Sequence, residues 1–163
     1  MLRLSRRLAC GAMAASLVLP LSGLRAEEQE GNNKPLASVP GDIAGVHVDV
    51  LSLKRTEGGM LTLRLAYVNE SGAPVKTQSF PGSGDPLGGS LVLVDYASKR
   101  KYGVITFSDG TCLCTTNLGT NNNFEPGSKP AWAKFTAPPE SVKKIAILFA
   151  GAGEPVEDIP ITR

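Results

Sequence analysis

Apolar residues in this chain return at every second position, and that period excludes most folds before any motif is weighed. Val46, Val48 and Val50 alternate with His47 and Asp49, and Leu61, Leu63, Leu65 and Tyr67 alternate with Thr62, Arg64 and Ala66. Period two sends successive side chains to opposite faces of a strand, so each run has one apolar and one polar face. Leu91 to Tyr96 is apolar apart from Asp95, as expected of a central strand. Tyr102 to Phe107, Ala131 to Ala137, Ile145 to Phe149 and the pair Ile159 and Ile161 supply the remaining strand candidates. The apolar parity switches after Val50, because Leu51 and Leu53 fall on the other set of positions; one inserted residue, a β-bulge, would return the side chains to the core.

Turn chemistry separates the runs. Glu57-Gly58-Gly59 predicts a short hairpin, Asn69 to Pro74 a wider turn, and Asp109-Gly110 a tight hairpin that puts Phe107 and Thr111 on antiparallel strands. Many short strands spaced by turns predict an all-β fold: an immunoglobulin-like antiparallel β-sandwich of about seven strands. A small closed barrel is the second reading. Trp132 is expected in the core, although it and Tyr102 would also suit a ligand surface.

The N-terminus has the three parts of an export signal: Arg3, Arg6 and Arg7, then an apolar stretch from Leu8 to Leu21, then Leu24-Arg25-Ala26. The apolar stretch is shorter than the ~20 residues a spanning helix needs. The expected organisation is a signal peptide over 1–26, a flexible polar leader over 27–41 broken by Pro35 and Pro40, and one domain over 42–163. Ser5-Arg6-Arg7-Leu8 is a partial twin-arginine pattern, but ordinary secretion fits better. Location would be periplasmic or secreted, with no membrane span after cleavage. The chain carries 17 basic and 15 acidic residues. Cleavage removes Arg3, Arg6, Arg7 and Arg25 and no acid, so the net charge turns slightly negative. With no polybasic stripe, nucleic acid has no electrostatic basis as a partner.

Cys10 would leave with the signal, and the remaining thiols are Cys112 and Cys114 in Gly110-Thr111-Cys112-Leu113-Cys114. In a straight strand their Cα atoms would lie ~6.5 Å apart, at ~3.3 Å per residue, with Cβ atoms about as far apart. A disulfide needs Cβ atoms ~3.8 Å apart. A bend beside the long loop that starts at Thr115 would permit the bond. Four readings stay open: a local disulfide with Leu113 in the core, a soft-metal site built on the two thiolates, a bridge to another chain, and reduced core thiols. Metal ligation is the weaker case, since His47 and Met60 are far off in sequence.

Two loops are candidates for ligand contact. Gly82 to Gly89 contributes Asp85; Thr115 to Pro130 contributes Asn121, Asn122, Asn123 and Phe124. Enzyme chemistry finds little footing. The one histidine, His47, falls on the polar face of its strand, and none of the common hydrolase, zinc or phosphate-loop motifs occurs. Asn69-Glu70-Ser71 fits a glycosylation sequon but reads better as a turn.

Leu93-Val94-Asp95-Tyr96, Lys101-Tyr102, Ser108 to Cys114, Phe135 to Pro139, Val142-Lys143-Lys144 and Glu157 to Ile161 together resemble uncharacterised bacterial secreted immunoglobulin-like domains. Such modules are sometimes found beside outer-membrane-protein-A-type domains. The resemblance implies a β-sandwich and an envelope or extracellular location, and implies no activity. The expected function is a non-enzymatic envelope binding module with a protein or glycan partner and no cofactor. The alternative is a copper-handling or thiol-redox protein acting through Cys112 and Cys114. The sequence leaves the oligomeric state open.

Overall fold

A computed structural model describes residues 34–83 and 87–163. The expected signal peptide, residues 27–33 of the leader and the candidate Asp85 lie outside the described residues.

The longest alternating runs form the longest strands. β2 (Val46–Thr56) and β3 (Met60–Asn69) make the expected hairpin through Glu57-Gly58-Gly59. Gly58 and Gly59 both take positive φ, 75° and 69°, which side-chain-bearing residues seldom adopt. The expected bulge is at Leu51: Val50 pairs with Leu65 and Ser52 with Arg64, so Leu51 has no partner. The extra residue returns Leu53 to the core beside Val46, Val48 and Val50.

β8 (Gly127–Thr136) pairs with the other side of β3, and β1 (Ala37–Pro40) with the other side of β2. These four strands form sheet I, in the order β1-β2-β3-β8. Sheet II has the order β10-β9-β5-β6, from β5 (Leu91–Asp95), β6 (Arg100–Gly103), β9 (Lys144–Phe149) and β10 (Val156–Pro160). β4 (Val75–Lys76) and β7 (Asn123–Phe124) pair as a two-stranded ribbon. All named pairings are antiparallel. Side chains from both larger sheets, among them Leu63, Leu65, Phe135, Leu93, Ile147 and Phe149, share one buried cluster.

Strands change sheets at both ends of this arrangement. Beyond β6, Val104 bridges Phe135 of β8, and the Ile105 amide donates to the Lys134 carbonyl (2.8 Å). Beyond β10, the Ile161 amide still bonds Lys143 before β9 (2.8 Å), whereas the Thr162 amide donates to Leu53 of β2 (3.0 Å). Such corner strands satisfy main-chain groups that two separate sheets would leave open at their edges.

Two boundaries differ from expectation. The leader was expected to be flexible to residue 41, but Ala37–Pro40 is strand β1, with Val39 buried. Pro35 precedes this short edge strand and Pro40 ends it, positions where a missing amide is tolerated. The strand expected from Tyr102 to Phe107 ends as a ladder at Gly103, where the chain turns to sheet I. No helix among the described residues is long and apolar enough to cross a membrane.

Candidate functional site

The cysteine pair lies where the Asp109-Gly110 turn returns the chain toward β8. The Phe107 amide donates to the Thr111 carbonyl (2.8 Å), and the Thr111 amide donates to Asp109 Oδ1 (2.8 Å). That amide bond holds the Asp109 carboxyl below its ordinary range. The backbone then bends: Cys112 bridges Thr106, while Cys114 bridges Ala133 of β8. The Cα atoms of Cys112 and Cys114 are 5.3 Å apart and their sulfurs are at disulfide distance. Both cysteines are buried, and Leu113 points the other way and is half-buried. The local-disulfide reading placed Leu113 in the core, and that part of it is corrected. Leu113 instead splices the two sides: its amide donates to Ile105 (2.8 Å) and its carbonyl accepts from Lys134 (2.9 Å). Gly88 packs on the pair so closely that a Cβ there would stand 3.1 Å from the Cys112 Cβ.

No cluster of three or more His, Cys, Asp or Glu suited to a metal occurs among the described residues. His47 and Met60 are at opposite ends of the β2–β3 hairpin, paired with Val68 and Thr56. His47 faces Asp49, with 3.7 Å between Nε2 and Oδ1.

The candidate loop residues are largely accounted for by the fold. Phe124 is in the core, 4.7 Å between ring centroids from Phe80, which in turn meets Tyr67 edge-on. It is corrected from ligand contact to core anchor, and Lys129 covers its ring with Nζ 5.0 Å from the centroid. Asn121 and Asn122 form the tip of a two-residue hairpin closed by reciprocal Thr120–Asn123 amide-to-carbonyl bonds, both 2.9 Å. Both asparagines take positive φ, 50° and 60°, as such tips demand, and Asn tolerates this better than most residues. Asn123 accepts a hydrogen bond from Lys76 Nζ (2.9 Å). Asn122 also borders a hollow of about 320 Å³ of mixed lining, with Asp42, Gln78, Phe80, Pro81 and Ser90. The flanks of the glycine loop belong to the fold too: Leu87 is buried, and the Gly82 carbonyl accepts from the buried Tyr67 hydroxyl (2.9 Å).

Asn69 is buried as well. Its amide nitrogen donates to Ala73 and Phe124 carbonyls, and its side-chain oxygen accepts from the Ser71 amide and hydroxyl. The sequon therefore serves as a turn lock.

The sequence missed the outer face of sheet I. Trp132 was expected in the core but is 40% exposed. Ala131, Ala133 and Phe135 take the buried positions of β8, which leaves Trp132 and Lys134 on the opposite face. Parity carried the signal: positions 132 and 135 cannot share one face of a regular strand. On the neighbouring strands, Trp132 stands opposite Arg64 and Lys134 opposite Thr62; further across, Arg64 meets Ser52 and Thr62 meets Lys54. A groove of about 660 Å³ runs over this face, lined by Leu51, Thr62, Arg64, Thr115, Trp132 and Lys134 among others. An adjoining groove of about 400 Å³ adds Ser52, Lys54 and Thr56. Among the described residues, no acid lines either groove. Among the described residues, Lys54, Arg64 and Lys134 take part in no ion pair. Tyr102 is half-buried, and its hydroxyl has no hydrogen-bond partner among the described residues.

The chain matches no protein-family model, no curated protein and no solved structure.

Proposed function

We propose that this chain is a non-enzymatic binding module of the bacterial envelope, periplasmic or secreted, with the outer face of sheet I as its recognition surface. The observation that carries the reading is Trp132, exposed in a groove beside Arg64 and Lys134. An exposed indole flanked by cations and hydroxyls offers both an apolar platform and directional polar contacts, the usual make-up of a recognition patch. Two antiparallel sheets over one core support an immunoglobulin-like sandwich as the scaffold. The export signal read from residues 1–26 supports the location.

Co-sedimentation with bacterial envelope fractions tests this reading. The wild-type chain should be retained, Trp132→Ala should be released, and Asn121→Gly should behave as wild type. Equal retention of Trp132→Ala and wild type would sink it.

One observation favours a second reading, a thiol-redox or copper-handling role: the Cys112 and Cys114 sulfurs are at disulfide distance. Reduced, two neighbouring thiolates suit Cu(I). Burial of both residues weighs against rapid thiol exchange, which needs access to a sulfur. Cu(I) titration of the reduced chain decides it, since Cys112→Ser should abolish stoichiometric binding if the reading holds.

A further inference from the structure

We infer that the outer face of sheet I takes an acidic polysaccharide, with a sugar ring stacked on Trp132 and its carboxylate or sulfate groups held by Arg64, Lys134 and Lys54. The inference rests on that face being the recognition surface and adds the chemical class of its ligand.

Charge and spacing carry it. Among the described residues, three cations line the two adjoining grooves and no acid does. Lys134 and Lys54 flank Thr62 on the two neighbouring strands, so their backbones are ~10 Å apart at ~4.8 Å per strand. Arg64 lies two residues along β3 from Thr62, in a second row ~7 Å away. Cations spread over three strands and two rows of one face suit repeated charges on a polymer.

The choice of polysaccharide over peptide follows from the backbone. β3 is hydrogen-bonded to β2 on one side and to β8 on the other, so the centre of this face has no main-chain group free to add a strand. An extended peptide binds most readily where such groups are open. A sugar chain needs none: its ring faces stack on an indole, and its hydroxyls meet side-chain hydroxyls such as Thr62, Thr115 and Ser52.

The chain has one tryptophan, so Trp132 fluorescence reports directly from the site. The full chain would be titrated with polygalacturonate, with neutral dextran and with polyglutamate. A saturable change with polygalacturonate alone is expected. Arg64→Gln and Lys134→Gln should each weaken it about tenfold, as should a rise from low to ~0.5 M salt. Lys101→Gln, on exposed β6 of sheet II, should change nothing. Equal binding of polyglutamate would overturn the polysaccharide class and favour an acidic peptide. Equal binding of dextran, insensitive to Arg64→Gln, would overturn the role of charge. No response to any polymer would overturn the inference alone if Trp132→Ala still releases the protein from envelope fractions; if that variant is retained as well, the recognition surface falls with it.

Discussion

Cys112 and Cys114 approach to 5.3 Å at Cα, closer than a straight strand allows, while Leu113 between them faces outward and ties Ile105 to Lys134. The bend reconciles two demands on the same three residues: the sulfurs meet on the core side and the main chain still extends sheet I.

Intact mass after alkylation should therefore show neither Cys112 nor Cys114 free in protein purified without reductant, and both free after reduction and unfolding. Replacing both cysteines with serine should lower stability by about 1–2 kcal/mol. The bridge closes only a very short loop, which limits its effect on the unfolded chain. Two thiols that label in the unreduced, unfolded protein would refute the bridge.

Phe124→Ala should destabilise the domain by about 3–4 kcal/mol in urea unfolding, because it empties a position stacked between Phe80 and Lys129. Asn122→Ala should cost about 1 kcal/mol, and Asn122→Gly much less, since the position needs positive φ. A Phe124→Ala variant as stable as wild type would return that residue to the list of surface contacts.

Tyr67 sets the alkaline limit. Burial pushes its phenol above the ordinary value of 10. The unfolded chain releases this proton near pH 10 while the folded chain retains it, so stability should fall as pH rises beyond 10. Tyr67→Phe should flatten that decline, while losing about 1–2 kcal/mol at neutral pH by leaving the Gly82 carbonyl unpaired. Urea midpoints measured from pH 8 to 11 for both proteins check the sign.

The acid side depends on turn carboxylates. The Ser98 hydroxyl, at 2.6 Å, is the main cause that holds Asp95 below the ordinary carboxylate range, with the Ser98 and Ala97 amides assisting. Asp109 is held down by the Thr111 amide. A depressed carboxyl stabilises the fold above its unfolded value and loses that contribution as pH falls through the folded one. Stability should thus decline below about pH 4, and less steeply in Asp95→Asn. An unchanged acid slope in that variant would remove Asp95 from the account.

What could be read from the sequence was whatever local period and turn chemistry dictate. Alternation gave β2 and β3, the parity break at Val50 gave the bulge, and Gly58-Gly59 gave the hairpin. Features set by distant partners were not legible. β1 is only four residues and ends in Pro40, and it is a strand because β2 offers it an edge. The Asn121-Asn122 pair looked like a polar loop free to bind, whereas its positive φ values make it turn chemistry. Trp132 was assigned by residue type when its parity against Ala131, Ala133 and Phe135 already placed it outside. The candidate site therefore moved from the loops to a sheet face that the strand order assembles from β2, β3 and β8.

The recognition surface is tested most directly by iodide quenching of Trp132, the sole tryptophan, with and without envelope fraction. Trp132 should be readily quenched in the free protein and become shielded in the bound fraction. Protein that co-sediments while Trp132 remains equally quenchable would be bound through another surface, and the assignment of this face would be wrong.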